Sequence, residues 1–176
     1  MIKIKCNDEF VKDNIVNLLD QKKFFLSFHN NNKHLFCTKI IMKDNILDFI
    51  IEDEKISFRL PKSFNIIFED FFDLISNKTI SFQGYEYYPF KSLIKKNSNN
   101  IFLSEIQNTI MCNLLLNLDT GIKKIDLIKT IWPNDKDIFF NKLDTHLTNL
   151  KNYINSESTI DLKFMSKSGL IKLIIN

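Results

Sequence analysis

The stretch "FFNKLDTHLTNLKNYI", residues 139–154, carries apolar residues at Phe139, Leu143, Leu147, Leu150 and Ile154. At ~100° per residue these fall on one side of a helix, expected to run from about Asp137 to Asn155. With Leu143 at the centre of that buried side, Asn141, Thr145, Thr148 and Asn152 lie opposite, and Lys142, His146, Asn149 and Lys151 flank them. The polar side is a hydrogen-bonding surface. Asparagine pairs bidentately with adenine, threonine touches the thymine methyl, and lysine neutralises phosphate.

The flanking sequence gives this helix its neighbours. Upstream, "KKIDLIKTIW" (123–132) forms a short helix stopped by Pro133. Before it, Ser104 stands three residues ahead of Gln107, a capping-box spacing. Ile106, Ile110, Met111, Leu114 and Leu115 then make a stripe that runs to the "DTG" at 119–121. Downstream, "IDLKFMSKSGLIKLII" (160–175) is two alternating runs around "SKSG", a hairpin whose turn uses Gly169. A small antiparallel sheet is expected over 79–103, where apolar and polar residues alternate around Gly84, Pro89 and "KNSNN". Strands, three helices and a hairpin are the order of a winged helix.

Four segments in that order resemble the OmpR/PhoB-type winged-helix effector domain of bacterial response regulators. The resemblance runs from Ile80 to Ile175 and rests on Leu103, Ser104 and Glu105 at the first helix, and on Leu127, Ile128 and Trp132 at the second. Thr145, His146, Leu147 and Leu150 carry it at the third helix, and Gly169, Lys172 and Leu173 in the closing strand, where Ile171 replaces an aromatic. It implies that the third helix enters the major groove of double-stranded DNA and that the hairpin braces it against the adjacent groove or backbone. The expected DNA-contacting residues are Asn141, Lys142, Thr145, His146, Thr148, Asn149, Lys151 and Asn152. Lys167 and Lys172 join them from the hairpin, which also carries Lys163. The loop "PNDKD" (133–137) is expected to face RNA polymerase, as the resemblance implies.

Where the family carries arginines on this helix, the chain has Asn141, Thr148, Asn149 and Lys151. Lysine keeps the charge without the bidentate fork, and asparagine keeps neither. The expected target shifts from guanine contacts toward A·T pairs, with lower affinity and weaker salt dependence. The alternative reading is a protein-interaction adaptor that retains the winged-helix fold without binding DNA.

Upstream of this domain such a family carries a receiver. "IKIKC" (2–6) and the helix "DEFVKDNIVNLL" (8–19), with Phe10, Val11, Ile15, Leu18 and Leu19 on one side, are similar to a receiver's opening. "FFLSF" (24–28) reads as a second strand, "LFCTKIIM", "ILDFIIED" and "KISFRL" as three more, and Asn65 to Ser76 as a helix with Ile67, Phe68, Phe71, Phe72 and Ile75 buried. Lys62, before that helix, stands near a receiver's lysine. The chemistry is missing. An aspartyl phosphate needs a paired acidic Mg²⁺ site and an acceptor aspartate, whereas Cys6 and Asn7 precede a lone Asp8 and Glu9, and Asp44, Asp48 and Asp53 follow no third strand of that kind.

The expectation is therefore an α+β chain: a small α/β module, reduced receiver-like or unrelated, over 1–77 and a winged helix-turn-helix over 78–176. The first module is expected to dimerise or bind a partner and not to accept phosphate.

Composition narrows the rest. In 176 residues, 44% hydrophobic, there is enough apolar material for either module to bury a core, and the net charge of +3 excludes a general polycation, so any nucleic-acid site is local. Arg59 is the sole arginine, and the abundance of Lys, Asn, Ile and Phe is what an AT-rich codon supply yields whatever the function. Cys6, Cys37 and Cys112 form no CxxC pair and read as small buried hydrophobes, while His29, His34 and Cys37 fit no standard zinc spacing. Three glycines leave no phosphate-cradling loop. No enzyme activity, cofactor or metal is expected. The charged N-terminus and the lack of any run near ~18 apolar residues point to a soluble cytoplasmic protein.

Overall fold

The computed structural model of the chain describes residues 2–21, 36–135 and 140–174. It divides into two compact units, Met1–Lys78 and Thr79–Asn176, both of mixed α+β structure.

In the first unit, β1 (Ile2–Cys6) leads into α1 (Glu9–Gln21), followed by β2 (Phe36–Lys43), β3 (Ile46–Ile51), β4 (Glu54–Arg59) and α2 (Phe64–Ser76). The sheet order is β1-β2-β3-β4, with β1 parallel to β2 and the other pairs antiparallel. The turns decide this. Asp44 and Asn45, both at positive φ, join β2 to β3 in two residues, and such a link makes a hairpin where a parallel neighbour needs a crossover of about a dozen residues or more. The similarity to a receiver, a doubly wound parallel sheet, thus stops after β1 and α1.

Asn7 ties the end of β1 to β2. Its amide donates to the Met42 carbonyl at 2.9 Å, and its side-chain oxygen accepts from the Met42 amide at 2.8 Å. Asp8 caps α1 by accepting from the Val11 amide at 2.9 Å.

The core joins Val11, Ile15 and Leu19 of α1 to the inward strand residues Ile40, Leu47, Phe49 and Ile51 and to Ile67, Phe68, Phe71 and Ile75 of α2. Phe49 and Phe71 pack with ring centroids 4.5 Å apart. Three expectations need correcting. Phe10 is 73% exposed, because one position before Val11 turns it away from the Val11–Ile15–Leu19 line, and Phe72 and Leu18 are half-buried at the stripe's edge. Cys6 and Cys37 are half-buried and only Cys112 is buried. The segment 24–28, His29 and His34 lie outside the described residues.

The second unit opens with the antiparallel meander β5 (Ile80–Phe82), β6 (Tyr85–Tyr88), β7 (Leu93–Lys96) and β8 (Asn99–Phe102). Next come α3 (Glu105–Leu116), the two-residue strand β9 (Ile122–Lys123), α4 (Lys124–Ile131) and α5 (Phe140–Glu157). The hairpin β10 (Lys163–Lys167) and β11 (Leu170–Ile174) closes the unit, and β11 also pairs with β9, giving a three-stranded sheet in the order β10-β11-β9.

The capping box at Ser104 is present in both directions. Ser104 Oγ accepts from the Gln107 amide at 3.3 Å, and Gln107 Oε1 accepts from the Ser104 amide at 2.8 Å. Helix α3 is buried well beyond its apolar stripe: Asn108, Thr109, Cys112 and Asn113 are inside with Ile110, Met111 and Leu114, while Ile106 and Leu115 are half-buried. Asn108 is satisfied by donating to the Pro89 carbonyl at 2.8 Å and accepting from the Tyr87 hydroxyl at 2.5 Å, which locks α3 to the meander. Helix α4 ends at Ile131, just before Trp132 and Pro133. Among the described residues no helix is long and apolar enough to cross a membrane.

Candidate nucleic-acid interface

Helix α5 is amphipathic. Leu143, Leu147, Leu150 and Ile154 are buried, while Asn141, Lys142, Thr145, Thr148, Asn149, Lys151 and Asn152 are exposed and His146 is half-buried. Phe139 and the loop residues 136–137 lie outside the described residues. Thr145 Oγ1 donates to the Asn141 carbonyl and Thr148 Oγ1 to the Asp144 carbonyl, each at 2.9 Å. Their hydroxyl protons are thus used within the helix, leaving a methyl group and acceptor lone pairs for a partner.

The lysines differ in how free they are. Lys142 Nζ lies 2.9 Å from Asp135 and 4.1 Å from the Trp132 ring centroid, and Trp132 in turn lies 5.4 Å from the His146 ring. This cluster clamps the end of α4 onto the first turns of α5, and any phosphate taking Lys142 must displace Asp135. Lys151 has no ion pair among the described residues. Asp144, in the middle of the exposed side and paired with Lys124 at 2.6 Å, adds a negative charge that opposes phosphate. The pattern of the helix alone did not show these partners, because Asp135 and Lys124 come from other segments.

Ser168 and Gly169 make the two-residue hairpin turn at φ 51° and 77°. The register pairs Met165 with Lys172 and Lys167 with Leu170, and Leu170 with Lys123 of β9. Paired residues share a side of the sheet, so Lys123, Lys163, Met165, Lys167, Leu170 and Lys172 stand together on the side away from the buried Ile171 and Leu173. Lys163 pairs with Asp161, and Lys172 donates to the Asp119 carbonyl at 2.9 Å. Lys167 has no ion pair among the described residues. Lys123 joins the set only because β9 pairs with β11, a strand too short to be visible as alternation. Thr120, Gly121, Met165 and Leu170, with Lys167 and Lys172, line a shallow cleft of about 250 Å³ beside the hairpin.

The sites chosen from sequence therefore fall into two sets. Asn149, Lys151, Asn152 and Lys167 are exposed with no charged partner, while Lys142 and Lys172 are engaged within the protein. Among the described residues no three His, Cys, Asp or Glu side chains are grouped as metal ligands.

No protein-family model and no curated protein matches the chain. Two solved structures are similar to it. One is the C-terminal domain of the nisin resistance regulator NsrR, a lantibiotic response regulator, at 22% identity and a TM-score of 0.44, covering 55% of this chain and 96% of that one. The other is described as a novel family of redox sensors in the streptococci evolved from two-component response regulators, at 9% identity and a TM-score of 0.44, covering 99% of this chain and 67% of that one.

Proposed function

We propose that the chain is a cytoplasmic DNA-binding transcriptional regulator of the response-regulator type, with a winged helix-turn-helix as its second unit and no control by aspartyl phosphorylation. Helix α5 enters the major groove and the β10–β11 hairpin contacts the backbone beside it. The observation that carries this reading is an exposed polar side of α5 on which Asn149, Lys151 and Asn152 have no charged partner, in a unit that also presents Lys167. Asparagine and threonine without arginine favour adenine and thymine over guanine. Homodimerisation doubles the bases read, and the loop after Pro133 faces RNA polymerase.

The absence of phosphate control is supported by where the acids sit. Asp8 caps α1, Asp44 and Asp53 occupy hairpin turns, and Asp48 lies mid-strand, engaged by Lys55 at 2.8 Å and Ser57 at 2.6 Å.

One observation favours the adaptor reading instead. Asp144 and the Lys142–Asp135 pair lower the positive potential of α5 where phosphate approaches. Fluorescence anisotropy on A·T-rich duplexes at two salt concentrations separates the readings. Binding that weakens with salt and falls in Lys142→Ala/Lys151→Ala supports the DNA reading; no binding at micromolar protein leaves the adaptor.

A further inference from the structure

The first unit sorts its charges by side of the sheet. Residues 1–78 hold 12 Lys or Arg and 12 Asp or Glu, so the unit is neutral as a whole. The side of its sheet opposite α1 and α2 is not neutral. From the register and the two-residue alternation, the exposed residues Lys3, Lys5, Lys39, Lys43, Lys55 and Arg59 all project from that side, around Ile41, Ile46 and Ile50.

A single carboxylate, Asp48, stands among these six cations, and Lys55 and Ser57 already engage it. The other acids of the unit lie on α1, on α2 and in the β2–β3 and β3–β4 turns, apart from Asp8 at the start of α1 and Asp20, whose side chain is not described. Lys3, Lys5, Lys39, Lys43 and Arg59 have no ion pair among the described residues. Codon supply explains how many lysines the chain has; it does not explain their sorting.

The arrangement opposes folding. Lys5 and Lys39 are direct cross-strand partners, and like charges in that position destabilise a sheet. One row across all four strands reads Lys5, Lys39, Ile50, Lys55, and the row four residues along reads Lys43, Ile46, Arg59. With strands ~4.8 Å apart and a rise of ~3.3 Å per residue, these rows spread the cations over an area about 14 Å by 13 Å.

We infer that this open sheet side is a second, sequence-independent docking surface for the phosphate backbone of duplex DNA. A flat, two-dimensional array of mostly lysine point charges, with no buried pocket, suits a dense and regular polyanion better than a single acidic side chain. The same array disfavours self-association through this side, since two copies would bring six cations against six. The inference rests on the proposed binding of duplex DNA, but not on α5 being the reading helix. It gives the first unit a part in affinity where α5 lacks arginine.

The test uses the full chain on duplexes of unrelated sequence, with anisotropy followed across a range of salt. Lys5→Gln/Lys39→Gln/Arg59→Gln is expected to weaken binding to every duplex about equally, by about tenfold or more at low salt, and to reduce the salt slope by about 2 to 3, at ~0.9 per phosphate released. Lys5→Arg/Lys39→Arg/Arg59→Lys keeps the charge and is expected to keep the binding, which separates charge loss from misfolding.

An unchanged affinity and slope in the glutamine variant overturns the inference. So does a loss confined to poly-L-glutamate binding, which identifies an acidic protein partner. Asn149→Ala/Lys151→Ala, measured in parallel, isolates the other reading. If that variant binds all sequences as the wild type does while the sheet variant is weakened, α5 is not the reading helix and the sheet surface stands.

Discussion

Tyr87 shows how one side chain sets the position of an element. It is fully buried, its hydroxyl donates to Asn108 Oδ1 at 2.5 Å, and it lies 3.1 Å from Cys112 Sγ. Tyr87→Phe keeps the ring and leaves Asn108 Oδ1 without its donor, so a loss of about 1–3 kcal/mol is expected in urea unfolding. Burial pushes the Tyr87 phenol well above its ordinary value near 10 and raises the Cys112 thiol as well. Both groups fold protonated. Their contribution is therefore whole below the unfolded-state values, and it is lost as pH rises through the folded ones. Wild-type stability is expected to fall more steeply above about pH 10 than that of Tyr87→Phe, as thermal melts across alkaline pH will show. Asp48 has the opposite sign: hydrogen bonds from Lys55 and Ser57 hold its carboxyl below the usual value, so its contribution is present at neutral pH and lost toward acid.

At the scale of elements, two short features hold unit 2 in register. Ser104→Ala removes the cap of α3 and is expected to cost about 1 kcal/mol in chemical denaturation. Gly121 has a φ of 72°, and a Cβ there would stand 2.9 Å from the Ile171 carbonyl, at the pairing of β9 with β11. Gly121→Ala is expected to cost about 1–3 kcal/mol and to raise amide exchange at Ile122 and Ile171, seen by hydrogen–deuterium exchange.

The capping box, the α5 stripe and the terminal hairpin were legible in the sequence because each is a local pattern with a fixed spacing. Other features were set by partners distant in sequence. The burial of Asn108 and Asn113 depends on the meander lying over α3 or on the helix's own carbonyls, and polar residues give no stripe by which to foresee it. Strand β9 has two residues and forms only because β11 is beside it. The polar side of α5 was legible residue by residue. Its pairing with Asp135 and Lys124 was not, since neither lies in the helix.

Over the whole molecule, a net charge of +3 conceals an uneven distribution. Unit 1 is neutral in total with its cations collected on one side of its sheet, and the full excess belongs to unit 2. Affinity built from several small lysine contacts is expected to be weak at physiological salt and to rise steeply on dilution, in contrast to a helix anchored by arginine forks. The central claim concerns α5, and its most direct measurement is the change in backbone amide chemical shifts as an A·T-rich duplex is added to the ¹⁵N-labelled full chain. The account predicts that the amides of Asn141 to Asn152, followed by those around Lys167, shift or broaden at substoichiometric DNA. Shifts confined to other elements, with the α5 amides unmoved at saturation, would contradict it.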